Sequence, residues 1–143
     1  MVKTFLVAAL LAACLSGCQS PEANKAAGMT VLNIDDLNDQ HKKDKEGLRA
    51  KYDGKEVVII GTASQDFDPN NAYFEMGKPW RFHMRGDLNK ETWVGVDCMA
   101  EAADKEKFTG IKKDATFAAK GVLHFNGGSM ELSPCTRDFR GEK

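Results

Sequence analysis

Hydrophobic positions along the chain change their period several times, and each change marks an element. Phe5 to Leu15 is an unbroken apolar run of eleven residues behind the single positive charge of Lys3. At about 1.5 Å of rise per residue it spans only half of a hydrocarbon core of roughly 30 Å, so it reads as a signal-peptide core rather than a membrane span. Residues 19–30 are rich in Ala, Pro, Asn, Lys and Gly without any period, which predicts a flexible tether. From Asn33 to Tyr52 β-branched residues are few, Asp35 and Asp36 stand near the start, and Arg49 and Lys51 precede Asp53-Gly54. This predicts one helix with ends matched to its dipole. Its apolar positions Leu37, Leu48 and Tyr52 are sparse, so it should bury a narrow stripe and pack as a lid at one edge.

Lys55 to Ala63 is dense in β-branched residues and predicts the strongest strand, with Gly61 suited to a bend or bulge. Ser64 to Asn71 predicts a loop. Two further strands are predicted within Ala72–Arg85 and Thr92–Cys98, separated by the turn Gly86-Asp87-Leu88-Asn89-Lys90. In the second, Val94, Val96 and Cys98 alternate with Trp93, Gly95 and Asp97. Met99 to Phe108 turns to Ala, Glu, Asp and Lys and predicts a short helix. Ala115–Phe125, the turn Asn126-Gly127-Gly128 and Ser129–Pro134 predict a closing pair of strands.

The end of the apolar run decides where this chain should go. Leu15-Ser16-Gly17-Cys18 matches the bacterial lipobox, in which a branched apolar residue and two small ones precede an acylated cysteine. The expectation is cleavage after residue 17 and lipidation of Cys18, with residues 1–17 as signal peptide and 18–30 as lipidated tether. Several acyl chains on one residue hold more firmly than the marginal single chain, at about 0.8 kcal/mol per buried methylene. Gln19 resembles the sorting position of Gram-negative lipoproteins, where a residue other than Asp implies the outer membrane, periplasmic face.

Losing Lys3 with the signal leaves the mature chain one unit more negative than the −1 of the full sequence. A near-neutral protein lacks the positive charge by which phosphate backbones are held, so nucleic acid is not the expected partner. Of the four cysteines, Cys14 departs with the signal and Cys18 takes the lipid, leaving Cys98 and Cys135. Two thiols in an oxidising envelope are expected to pair. A redox or metal pair would want a CxxC spacing or a nearby histidine, and neither is present.

Three strands, a helix and two strands joined by a tight turn is the order of a five-stranded OB-fold barrel, here with an additional N-terminal helix. The expected fold class is therefore mainly β, with residues 31–136 as the barrel domain and 137–143 as a polar, frayed tail. In such a barrel the third and fifth strands are expected to pair with the first or lie close across the core, so a bridge between their ends fits. The helix ending at Tyr52, Gly54-Lys55, the strand to Gly61, Val96-Asp97-Cys98, Gly110 to Thr116, Lys120-Gly121 and Leu132-Ser133-Pro134-Cys135 together resemble the tRNA_anti-like OB-fold family of exported lipoproteins. The resemblance implies a fold and carries over no functional residue.

Candidate chemistry is thin. His41, His83 and His124 have no metal-ligand or catalytic spacing, so no catalytic residue, metal or cofactor is expected. Asp66-x-Asp68-x-Asn70 begins like a calcium loop, but Asn71 and Gly77 stand where its glycine and glutamate belong. Binding character concentrates in Tyr73 to Trp93, where aromatics interleave with basic residues; Trp80, Arg81, His83, Arg85 and Trp93 form the candidate ligand face. The expected function is a non-enzymatic binding or interaction module in the bacterial cell envelope, meeting a protein or glycan. The alternatives are an assembly accessory of an envelope complex and an inhibitor of an envelope-directed hydrolase.

Overall fold

Nearly every strand of the domain closes on one ring of pairings. The structure is a computed structural model and describes residues 28–67, 80–87 and 95–139. The signal segment, Cys18, most of the tether, and the part of the aromatic segment holding Tyr73, Phe74 and Trp93 lie outside the described residues. Among the described residues no helix is long and apolar enough to cross a membrane.

The chain enters through β1 (Thr30–Asn33), a strand where the sequence pattern predicted tether and helix start. It lies parallel to β2 (Lys55–Ala63), with Thr30 opposite Val57 and Asn33 opposite Ile60. The Asn33 side chain then accepts the Asp35 N–H at 2.8 Å and caps α1 (Ile34–Lys43). The expected single helix is two, α1 and α2 (Lys45–Tyr52), broken at Asp44. Its carboxylate takes the Gly47 N–H at 2.8 Å, offering the backbone a partner outside the helical ladder. Gly47 admits this cap, since a Cβ there would collide with the Asp44 carboxylate. The stripe these helices bury is narrow, as expected: Ile34, Leu37, Asn38, Leu48 and Tyr52.

β2 pairs antiparallel with β5 (Thr116–Asn126) from Lys55, opposite Leu123, to Thr62, opposite Thr116. Its other edge is shared, first by β1 and then, at Thr62 and Ala63, by β3 (Trp80–Arg85). β3 pairs antiparallel with β4 (Val96–Ala100), β4 parallel with β6 (Ser129–Arg137), and β6 antiparallel with β5. The pairings thus run β2-β3-β4-β6-β5 and return to β2, with β1 added outside the ring. The fold is mainly β.

Two boundaries differ from expectation for one reason. Met99 and Ala100 belong to β4 because they face Arg81 and Trp80 across the ladder, and helical turns begin only with Ala102–Asp104 and α3 (Lys105–Phe108). Thr136 and Arg137 belong to β6 because they face Lys120 and Ala119. In both places ladder pairing decides, over the weak helix preference of Met and Ala at the first and the polar composition of the chain end at the second.

Phe108 of α3 enters the core, stacking on Phe82 at 4.5 Å between centroids and meeting Phe117 edge-on; Phe67 tilts against Phe82 at 4.7 Å. Each such buried ring contributes roughly 1.5–3 kcal/mol. Cys98 and Cys135 form the expected disulfide, both fully buried, with Cα atoms 5.4 Å apart. The bridge does not join two partners of the first long strand, however. It staples β4 to β6, which are direct parallel neighbours with Ala100 opposite Cys135.

Candidate functional site

Alternation along β3 sorts its side chains into two faces. Phe82 and Met84 point inward and are buried, while Arg81, His83 and Arg85 point outward. Trp80 shares the inward parity. It is half-buried against the core, with Lys105 Nζ 4.9 Å above its ring. Of the five candidate residues the structure brings together Arg81, His83 and Arg85, places Trp80 on the opposite face, and leaves Trp93 outside the described residues.

Asp97 of β4 stands directly opposite His83 in the ladder. Its two oxygens hold both neighbours: Oδ2 accepts from Arg81 Nη2 at 2.6 Å, and Oδ1 lies 2.8 Å from His83 Nδ1. Burial pushes the Asp97 carboxyl up, but the hydrogen bonds from His83 and Arg81, with their charges, outweigh it and hold the group below the ordinary range. The same hydrogen bond and charge raise Arg81, to which Glu131 adds attraction. The row continues across the ring: Asp97 faces Glu131 of β6, and Glu131 faces His124 of β5. His124 Nδ1 lies 3.9 Å from Asp53.

Arg85, at the far end of β3, reaches a different carboxylate. Its guanidinium donates to Asp114, which holds the left-handed conformation at φ 68° in the turn before β5. This pair stands in an open groove of about 490 Å³ on the outer side of the ring. The floor is Ile60, Gly61 and Thr62 of β2 with Thr116 of β5; the walls are the start of α1 from Asn33 to Asp35 and the end of β3 from Arg85 to Asp87. Asp35 Oδ1 accepts the Asp87 N–H at 3.0 Å and ties the two walls together. Thr62 donates its hydroxyl to the Arg85 carbonyl at 3.0 Å, so floor and wall are also joined.

Asp97 and Asp114 were not among the sequence candidates. Asp97 had a signal, since the Trp93, Gly95, Asp97 parity puts it on the face away from Val96 and Cys98. Asp114 had none, because its partner lies 29 residues away and its approach depends on ring closure. Asp66, the calcium-like position, accepts the Lys113 N–H at 2.7 Å and so fastens one loop to another; Asp68 and Asn70 lie outside the described residues. Among the described residues no cluster of three His, Cys, Asp or Glu is placed to hold a metal ion. Compared with protein-family models, curated proteins and solved structures, the chain matches none.

Proposed function

We propose that this chain is a lipoprotein of the bacterial cell envelope, anchored through Cys18, whose domain is a non-enzymatic binding module on an OB-fold barrel. The ring β2-β3-β4-β6-β5, its parallel β4 and β6, and the helix between β4 and β5 support the OB reading. The resemblance to tRNA_anti-like lipoproteins, carried by the residues around Tyr52 to Gly61, Val96 to Cys98, Gly110 to Gly121 and Leu132 to Cys135, supports the same reading. The lipobox and Gln19 support anchoring in the outer membrane, facing the periplasm.

One observation carries the binding reading: Arg81, His83 and Arg85 share the outer face of β3, held in place by Asp97 and Asp114, and lead into the groove. Donors already fixed in position lose little freedom when a partner docks, so more of the contact energy appears as affinity. The partner is an envelope protein or glycan. Trp80 no longer belongs to this face, so the test replaces Arg81 and Arg85 instead. Retention of the Cys18→Ser chain on isolated envelope material should fall at least tenfold in Arg81→Ala/Arg85→Ala; unchanged retention removes the β3 face from the account.

A further inference from the structure

We propose that the groove between the start of α1 and the end of β3 is a binding site for a neutral saccharide, a stretch of two or more sugar rings. This rests on the outer face of β3 being the binding surface and names the class of ligand it takes. Its volume of about 490 Å³ lies within the range of small-molecule sites.

The lining sets the chemistry. Arg85 supplies donors only, Asp35, Asp87 and Asp114 supply acceptors, and Thr62 and Thr116 supply both. A sugar hydroxyl donates and accepts at the same atom, so a single one bridges a carboxylate and a guanidinium that stand side by side. Among the described lining residues one guanidinium stands against three carboxylates, a balance that disfavours phosphates and other anions. A cation is not favoured either, because Arg85 stands in the wall, Asp114 is paired with it, and Asp35 already accepts from the Asp87 backbone. Ile60, partly exposed in the floor, adds apolar surface for the C–H face of a sugar ring.

Arg85 also holds something in reserve. Its Nε–H is buried without an acceptor among the described residues, although the side chain as a whole is 17% exposed. A buried donor without a partner is costly. A ligand oxygen entering beside it supplies the acceptor that the described residues do not.

The test records amide spectra of the full chain in detergent micelles, titrated separately with chitotetraose, cellotetraose, maltotetraose, tetralysine and inorganic phosphate. At least one tetrasaccharide should shift the amides of Gly61, Thr62, Gly86 and Asp87, and bind at least tenfold more tightly than phosphate or tetralysine. Thr116→Trp, at an exposed floor position, should weaken it at least tenfold with the fold unchanged. Arg85→Lys, which keeps the charge and loses the planar fork, should weaken it as well. The proposal is overturned if no tetrasaccharide shifts these amides, if tetralysine or phosphate binds there more tightly, or if the shifts survive Thr116→Trp. Should saccharides fail while envelope retention still depends on Arg81 and Arg85, the binding face stands and its ligand is of another class. Failure of both removes the face.

Discussion

The imidazole of His83 lies across Gly95, where a Cβ would come within 2.3 Å of its Cε1 and 2.5 Å of its Nε2. From that position Nδ1 reaches Asp97 at 2.8 Å. Gly95 is thus a packing surface for the ring that helps to organise the outer face of β3. Gly95→Ala should force His83 away from Asp97, because the Met84 carbonyl, 2.9 Å from the new Cβ, blocks the opposite escape. Diethyl pyrocarbonate should modify His83 several-fold faster in that variant, with His124 unchanged; an unaltered rate at His83 would show that the ring does not depend on the glycine.

Asp97 makes the stability of this face depend on pH with a definite sign. Its folded-state carboxyl is held below the ordinary value. The contribution is therefore complete above about pH 4, where an unfolded aspartate is already ionised, and is lost as pH falls through the lower folded value. Asp97→Asn should cost about 1–2 kcal/mol at pH 6. Urea unfolding at pH 6 and at pH 3 checks it: the gap between wild type and variant should shrink at the lower pH, and a gap that widens would reverse the assignment.

The disulfide closes a long loop, since its cysteines are 37 residues apart. On the chain-entropy account its removal in Cys98→Ser/Cys135→Ser should cost about 3–4 kcal/mol. Alkylation of the denatured, unreduced protein should leave Cys98 and Cys135 unlabelled. Two labelled thiols would contradict the bridge.

Asn38 sits on the buried stripe of α1 at 2% exposure, and neither of its amide atoms has a hydrogen-bond partner among the described residues. Replacing an unsatisfied buried amide by an apolar side chain of similar size removes a desolvation cost. Asn38→Leu should therefore stabilise the domain by about 1–2 kcal/mol in urea unfolding. A loss of stability would mean that the amide is satisfied in solution.

Much of this architecture is legible in particular stretches of the sequence. β2 announces itself through Val57 to Ile60, and the β5-β6 hairpin through the alternation around Gly121 and the turn at Gly127-Gly128. The parity of β3 was also present in Trp80, Phe82 and Met84 against Arg81, His83 and Arg85; reading its aromatics as ligand residues placed Trp80 on the wrong side. β1 was hidden because four residues give no period to recognise, and its strand state comes from β2 beside it. The helix break was hidden because it depends on Asp44 reaching Gly47. The groove was hidden for a stronger reason: Asn33, Thr62, Arg85 and Asp114 converge only once β2 has paired with β1, β3 and β5.

If the outer face of β3 meets an envelope partner as proposed, the chain's three histidines report on it from three elements, His41 on α1, His83 on β3 and His124 on β5. The most direct measurement is diethyl pyrocarbonate footprinting of the Cys18→Ser chain with and without isolated envelope material, read histidine by histidine by mass spectrometry. Modification of His83 should slow at least fivefold when the partner is present, while His41 and His124 keep their free rates. Unchanged labelling of His83, or protection confined to His41 or His124, would contradict the account.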